Sequence, residues 1–243
     1  MYRRLMALAL VLAFLFQSGC VSVDISQKVE RDGSSFMENR IDMGGMESVG
    51  TLSASDLCDK ITSAEASVGC RLDDDILILN RTLKATDGMY YFNRTSEFPY
   101  AVYALEVREA PAILNADTAT EAGLGGEAKD PIDFKDPSAK PTAAMLRAAG
   151  VRLTYDIEMP GEMLSAENGE IIVGGAGKGM ARYDIVRLMD EGQYIVVRSK
   201  ELDMPAILMA VGAAVLLIGG IVVAMVLNKA MKKTPAPQKR SRR

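Results

Sequence analysis

The feature that most constrains this chain is an unbroken apolar segment near its C-terminus. Residues 206–227 form a run of 22 residues without one charged side chain. As an α-helix that rises about 1.5 Å per residue, the run is about 33 Å long, and the hydrocarbon core of a bilayer is about 30 Å thick. A helix of a soluble protein usually keeps a polar face, which this run lacks. The sequence therefore predicts a transmembrane helix at residues 205–228.

Charges at the two ends of the chain predict how this helix is oriented. Residues 229–243 carry seven Lys and Arg and no acidic residue, and basic residues beside a span stay on the cytoplasmic side. At the other end, Arg3 and Arg4 precede an apolar stretch at residues 5–16, which has the layout of a secretory signal and is short for a span. We therefore expect a single-pass protein of the cell membrane with an extracytoplasmic domain at residues 20–204 and a cytoplasmic tail at 229–243.

The signal segment, residues 1–19, ends in Gln17-Ser18-Gly19 before Cys20. Small residues ahead of a cysteine resemble the lipobox of prokaryotic lipoproteins, in which the cysteine is lipidated and becomes the mature N-terminus. The resemblance implies a lipid anchor at Cys20, although Gln17 stands where the lipobox usually has Leu. The alternatives are an uncleaved anchor and ordinary cleavage nearby.

Net charge differs sharply between the zones of the chain. All 32 acidic residues but only 19 of the 28 basic residues lie between residues 20 and 205, which gives this region a net charge of −13. Such a surface repels nucleic acid and anionic head groups and favours solubility or basic partners. We therefore expect contact with the membrane, and with a lipid or another envelope protein, but not with nucleic acid.

Two cysteines and two asparagines of the expected outer domain are candidates for covalent modification. Cys58 and Cys70 form an even pair in an oxidising compartment and predict a disulfide, with two buried thiols as the alternative. Asn80 and Asn93 each begin an Asn-Arg-Thr sequence, which fits the N-glycosylation sequon. Modification requires that these side chains be accessible.

Alternating apolar residues and short turn sequences predict an α+β fold with mainly antiparallel strands and one sizeable helix, in addition to the transmembrane helix. Residues 53–66 have the spacing of an amphipathic helix, whereas residues 110–141, rich in Ala, Gly, Asp and Pro, predict a flexible insertion. In the first half we expect a hairpin over residues 21–43, a second hairpin of strands 76–85 and 89–93 across residues 86–88, and a strand at 100–109. The second half reads as strands alone, at residues 151–159, 171–173, 180–186 and 194–198.

The chain lacks histidine, which removes Ser-His-Asp and Cys-His catalysis and the commonest metal ligand. We therefore expect no enzyme, no cofactor and no metal site, and a carboxylate-pair hydrolase is the remaining catalytic alternative. Asp73, Asp74 and Asp75 lack the spacing of an EF-hand and read as a solvated turn. The glycine-rich residues 174–179 are not a phosphate loop, because Gly179 stands where Ser or Thr must bind magnesium.

Two stretches of the outer domain resemble the LppM-like family of prokaryotic lipoproteins. The first is CVSVD at residues 20–24 with RDGS at 31–34, and the second is YDIEMPGEM at 155–163 with Asn168-Gly169. The resemblance implies the family's layout of signal, outer domain and C-terminal span, and transfers no catalytic residue.

These observations together predict a membrane-anchored cell-surface lipoprotein whose outer domain binds or scaffolds without catalysis. A lipid or glycolipid binder is one alternative, which a large apolar cavity would favour. An envelope-assembly subunit or a carboxylate-dependent hydrolase is the other.

Overall fold

The computed structural model describes residues 22–42, 54–64, 67–109, 133–135, 139–148, 150–173 and 179–231. Within them the chain forms two compact units. The larger unit falls in Met1–Thr95 and Val102–Glu201, and the smaller in Ser96–Ala101 and Leu202–Arg243. The elements in chain order are β1 (Ser22–Val29), β2 (Ser35–Asp42), α1 (Ala54–Ala64), β3 (Val68–Asp73), β4 (Ile76–Leu83), β5 (Tyr91–Glu97), β6 (Tyr100–Val107), α2 (Ala139–Ala148), β7 (Arg152–Glu158), β8 (Glu162–Glu167), β9 (Glu170–Val173), β10 (Gly179–Asp184), α3 (Ile185–Glu191), β11 (Ile195–Leu202) and α4 (Met204–Met231).

The strands form two sheets. One sheet has seven strands in the order β3-β4-β2-β1-β7-β10-β9, and the other has four in the order β5-β6-β11-β8. The pairs of the larger sheet are antiparallel except β1 and β7, which run parallel with Ser22 opposite Arg152 and Lys28 opposite Glu158. The prediction of a mainly antiparallel α+β protein is confirmed.

The hairpin predicted around Arg31-Asp32-Gly33-Ser34 joins β1 to β2. Gly33 adopts a φ of 84°, which suits glycine, and the Asp32 carboxylate accepts hydrogen bonds from the Ser34 amide at 2.9 Å and the Ser34 hydroxyl at 2.6 Å. The backbone closes the turn through a hydrogen bond from the Glu30 amide to the Ser34 carbonyl at 2.7 Å.

The second predicted hairpin, across residues 86–88, is wrong. β4 lies in the seven-stranded sheet and β5 in the four-stranded sheet, so the chain changes sheet at this turn instead of pairing its two flanking strands. β4 pairs with β2 and with β3, a strand of mixed polarity that the apolar alternation did not reveal.

The expectation of strands alone in the second half is also wrong, because α2 and α3 lie there. α2 begins at Ala139, within the predicted insertion. α3 begins where β10 was expected to continue: the Asp184 carboxylate caps it by accepting the Arg187 amide hydrogen at 3.0 Å, and Gly192 ends it at a φ of 64°. Its buried residues, Ile185, Val186, Leu188 and Met189, have helical spacing.

Alternating burial along the strands builds the core of the larger unit. Every second side chain of β1, from Val23 to Val29, is buried, as are those of β6 from Tyr103 to Val107. α1 contributes Ile61, which is fully buried in a cluster whose other members are Val68, Leu77 and Leu79. The predicted amphipathic helix therefore packs its apolar face on the sheet.

A polar network lies inside this apolar core. The Gln27 side-chain amide donates to the Ser35 hydroxyl at 2.8 Å, and the Tyr90 hydroxyl donates to the Gly33 carbonyl at 2.6 Å. The Tyr155 hydroxyl donates to the Gln27 side-chain oxygen. Gln27, Ser35 and Tyr155 are each at most 1% exposed, so these hydrogen bonds replace solvent that the side chains lost on folding.

In the smaller unit, α4 contains the predicted transmembrane segment. Met204–Lys229 has a mean hydropathy of 2.8 over its most apolar window, and none of that window is buried. The helix is therefore long and apolar enough to cross a membrane. Asp203 caps it, since its carboxylate accepts the Ala206 amide hydrogen at 3.2 Å and its carbonyl accepts that of Ile207 at 2.9 Å.

Candidate functional site: an arginine cleft

A cleft of about 550 Å³ opens in the larger unit where β7 begins and β10 ends. Four arginines from four elements line it: Arg147 of α2, Arg152 of β7, Arg182 of β10 and Arg187 of α3. We call this feature the arginine cleft and define it by those four residues. It is unusual because the domain that carries it has a net charge of −13.

Three of the four guanidinium groups are held in place by carboxylates. Arg182 donates to both oxygens of Asp156, its neighbour across the β7–β10 pair, at 2.8 and 2.7 Å. Arg187 donates to Glu191 one helical turn later at 2.8 Å, and Arg147 donates to Asp190 at 3.2 Å. The hydrogen bonds from Arg182 to Asp156 raise the pKa of that guanidinium further above its ordinary value, so it stays charged.

Arg152 differs from the other three. Its side chain is exposed, and it makes no ion pair with any part of the chain that the structure describes. The acidic residues that line the cleft are Glu170 and Asp184, and the other three arginines already pair with Asp156, Asp190 and Glu191. Asp184 is also engaged as the cap of α3. Arg152 is therefore the arginine of the cleft whose charge a ligand could neutralise.

The floor of the cleft depends on a close contact between Tyr183 and Gly169. A Cβ atom on Gly169 would overlap the Tyr183 ring, so only glycine permits the ring to lie there. The Asn168-Gly169 turn predicted from the sequence is present, with Asn168 at a φ of 65° and its side-chain amide donating to the Tyr194 carbonyl at 3.0 Å. Burial raises the pKa of Tyr183, whose hydroxyl donates to the Val196 carbonyl at 3.3 Å, so the floor is neutral.

A second groove, of about 720 Å³, lies where the β1–β2 turn meets the β7–β8 turn and is predominantly acidic. Its carboxylates are engaged within the protein: Glu201 accepts from Arg31 at 2.8 Å, and Glu162 lies 3.4 Å from the Lys200 ammonium group. Glu30 lies 3.5 Å from Lys28. Hydrogen bonds from Ser34 lower the pKa of Asp32. Neither groove has the enclosed apolar lining that a lipid tail would require.

The structure shows where the predicted cysteines and glycosylation sequons lie. Cys58 and Cys70 form the predicted disulfide, with Cα atoms 5.4 Å apart. Asn93 is exposed on β5, which ends the four-stranded sheet, whereas Asn80 is half-buried against Gly69 within the other sheet. Accessibility for a glycan therefore differs between the two sequons.

Of the remaining sequence features, the acidic turn at residues 73–75 is described by the structure and several others are not. Asp74 and Asp75 form the turn between β3 and β4, and the described residues contain no cluster of side chains that could hold a metal ion. Cys20, the signal segment and glycine-rich residues 174–178 lie outside the described residues, as do most of the predicted insertion and the tail from residue 232.

Sequence reasoning missed the arginine cleft because its residues form no motif. They are separated by intervals of 5, 30 and 5 residues, and the fold brings them together only through the packing of α2 and α3 and the pairing of β7 with β10. The overall acidity of the chain also directed attention to basic partners.

Comparison with known proteins adds a structural likeness. No protein-family model and no curated protein sequence matches the chain. Among solved structures, it is similar to the folded domain of LppM from Mycobacterium tuberculosis, with 9% identity over 77% of this chain and 94% of that domain, and with a TM-score of 0.33. This is a weak likeness to a lipoprotein domain, and membership of the LppM-like family stays a prediction.

Proposed function

We propose that this protein is a membrane-anchored cell-surface lipoprotein whose outer domain binds, without catalysis, a ligand that carries an anionic group in the arginine cleft. The anchoring part of the proposal is supported by α4, whose apolar surface is unburied, and by the basic residues that follow it. Lipidation of Cys20 belongs to the proposal on the sequence pattern alone.

The observation that carries the binding proposal is the convergence of four arginines in one cleft of an acidic domain. Arginine binds phosphate and carboxylate well because its planar fork of N–H donors matches two oxygens at once. Arg147, Arg182 and Arg187 are positioned by Asp190, Asp156 and Glu191, which reduces the side-chain entropy that a ligand would have to overcome. Arg152 would supply the uncompensated charge.

Phosphate is the shared chemistry of two ligand sources, a free phosphate ester and the head group of an anionic lipid or glycolipid. A head group fits the open cleft better than an acyl tail, because the lining is charged and the cavity is not enclosed. We do not propose a hydrolase, since the chain has no histidine and three carboxylates of the acidic groove, Glu30, Glu162 and Glu201, are paired with neighbouring cations.

The test uses the full chain in phosphatidylcholine nanodiscs and compares Arg152→Gln with Arg198→Gln. Arg198 is exposed on β11 and does not line the cleft, so both variants lose one positive charge, and only one of them loses it at the site. Binding of inorganic pyrophosphate is measured by calorimetry. Separately, the chain in the same nanodiscs, where α4 is already held in lipid, is assayed for retention on vesicles of phosphatidylcholine with and without phosphatidic acid.

We expect Arg152→Gln to lower the affinity for the probe roughly ten-fold, because a charge-assisted hydrogen bond contributes about 1.5 to 3 kcal/mol before solvent screening. Arg198→Gln should leave the affinity unchanged. Pyrophosphate binding alone would indicate a soluble phosphate ligand, whereas vesicle retention that needs phosphatidic acid would indicate a lipid head group. Equal affinities of both variants for both probes would refute the cleft as the site.

A further inference from the structure

The smaller unit contains the tip of the β5–β6 hairpin together with the start of α4. The tip comprises Ser96–Ala101, and the same unit continues from Leu202. The Asp203 amide donates a hydrogen bond to the Pro99 carbonyl at 3.0 Å. Since Asp203 is also the residue that caps α4, the hairpin tip is bonded directly to the first turn of the apolar helix.

The side chains around this junction are apolar and exposed. Phe98 is 67% exposed and Tyr100 is 38% exposed on the tip, and Leu202 and Met204 are 51% and 54% exposed at the start of the helix. Asp203 lies among them at 9% exposure, so the polar cap is covered while the apolar neighbours are not. In water this arrangement is unfavourable, because four large apolar surfaces face solvent beside a helix whose own surface is also apolar.

A membrane crossed by α4, as in the proposed function, explains the exposure. The apolar window of α4 is entirely unburied, and in the proposed function lipid covers it, beginning within one turn of Asp203. Aromatic side chains are enriched at the level of the lipid head groups, where an apolar ring enters the acyl region and a polar atom remains hydrated. Tyr100 has both parts, and Phe98 supplies a second ring.

We propose that the β5–β6 hairpin tip enters the interfacial layer of the leaflet at the N-terminal end of α4, with Phe98 and Tyr100 at head-group depth. We choose lipid as the partner of this surface because the backbone of the tip is hydrogen-bonded to the start of the apolar helix, so the exposed side chains of the tip lie next to the membrane-spanning segment. The hairpin is then a second contact of the chain with the membrane, distinct from the span and from any lipid on Cys20. This inference rests on the proposed function only in requiring that α4 span the bilayer.

The absence of tryptophan from the chain makes the test direct. Phe98→Trp introduces a single fluorophore of similar shape at an exposed position, and Leu216→Trp introduces one near the middle of α4. Each full-length variant is reconstituted in phosphatidylcholine nanodiscs that contain lipids brominated either near the head group or near the chain ends. Quenching by each lipid is measured, together with quenching by aqueous iodide.

We expect the tryptophan of Phe98→Trp to be quenched at least two-fold more by shallow bromines than by deep bromines, and that of Leu216→Trp to show the reverse order. Tyr100→Trp should behave like Phe98→Trp, which guards against a local effect of one substitution. If Phe98→Trp is quenched by iodide alone, the tip faces water and the inference is wrong. If it is shielded from iodide and from bromine, the tip packs on protein, such as a second copy, and the inference is also wrong.

The two proposals fail differently in this experiment. A Leu216→Trp variant that escapes the deep bromines would show that α4 does not span, which removes the anchoring part of the proposed function. A deeply quenched Leu216→Trp beside an unquenched Phe98→Trp would leave the span intact and would remove the hairpin contact alone.

Discussion

At the scale of single residues, Gly161 meets two constraints at once in the turn between β7 and β8. Its φ is 78°, and a Cβ atom there would overlap the backbone carbonyl oxygen of Lys200, which cannot move aside as a side chain could. Gly88 has the same φ of 78° but nothing within 4 Å of its would-be Cβ atom. Comparing Gly88 with Gly161 therefore separates the energetic cost of the positive φ from the cost of a steric overlap at the added Cβ atom.

We predict that Gly88→Ala destabilises the fold by about 1 to 2 kcal/mol, the cost of a left-handed conformation for an L-residue. Gly161→Ala should cost a further 1 to 3 kcal/mol or so, because the added methyl group overpacks against the β11 backbone. The measurement is urea unfolding of the full chain in detergent, followed by circular dichroism. Equal losses of stability in the two variants would contradict the contact between Gly161 and Lys200.

The buried hydroxyl of Tyr155 makes the stability of the fold sensitive to alkaline pH. Burial raises the pKa of Tyr155 well above its ordinary value of 10.0. Because the folded-state pKa is raised, the folded protein favours the neutral phenol. The resulting stabilisation is fully present below about pH 10 and is lost as the pH rises further, with a limiting slope near 1.4 kcal/mol per pH unit.

We predict that Tyr155→Phe lowers stability at neutral pH by about 1 to 3 kcal/mol, since it leaves the buried Gln27 side-chain oxygen without its donor. The same variant should lose less further stability between about pH 9 and pH 11 than the native chain, because the titrating group is gone. Tyr91→Phe, at a position that is 62% exposed, is the control and should follow the native chain at every pH. Parallel alkaline curves for all three proteins would show that Tyr155 does not govern this loss.

At the scale of elements, the disulfide ties α1 to β3 at the end of the seven-stranded sheet. Cys58 and Cys70 are separated by 12 residues, and loss of the cross-link from a loop of this length costs on the order of 3 kcal/mol in the chain-entropy account. We predict that the double variant Cys58→Ser/Cys70→Ser unfolds at a correspondingly lower urea concentration than the native chain. Dithiothreitol should shift the native midpoint towards that of the variant and leave the variant unaffected. If the reductant makes the Cys58 and Cys70 thiols reactive but leaves the urea midpoint of the native chain unchanged, the disulfide does not stabilise the fold.

Local sequence signals predicted elements well and their partners less well. The Asp-Gly turn at residues 32–33 gave the right hairpin because its strands are adjacent in the sheet, but Asp87-Gly88 did not, because β4 and β5 belong to different sheets. A turn sequence specifies a reversal of the chain and carries no information about which sheet receives the next strand. The same limit hid the parallel pairing of β1 with β7, which depends on strands more than a hundred residues apart.

Helix α3 was missed although the sequence contains a local signal for it, because the alternating apolar residues before it are typical of a strand. Asp184 followed by buried Ile185, Leu188 and Met189, and then by Gly192, is the cap, spacing and stop of a helix, yet the β-like residues before it favoured a continued strand. The arginine cleft had no comparable signal, because Arg152 and Arg182 become neighbours only through the sheet. Elements were therefore largely predictable, whereas the site required the tertiary structure.

At the scale of the whole molecule, charge and hydropathy divide the chain into parts with different surroundings. The acidic region between residues 20 and 205 is consistent with one side of a membrane. The unburied apolar helix is consistent with the membrane interior, and the basic tail with the other side. The predicted insertion at residues 110–141 lies in the acidic region, so it should be accessible from outside the cell. The tail should not.

We predict that a protease added to intact cells cuts the chain within the predicted insertion and spares the basic tail. After a urea wash, the C-terminal fragment should remain in the membrane through α4. The N-terminal fragment should also remain, and its mass should correspond to a chain that begins at a lipid-modified Cys20. An N-terminal fragment that still contains Met1 would indicate an uncleaved anchor, and one that the wash releases would indicate ordinary cleavage. Cutting confined to the tail would invert the topology, because it would place the seven basic residues outside, where the positive-inside rule disfavours them.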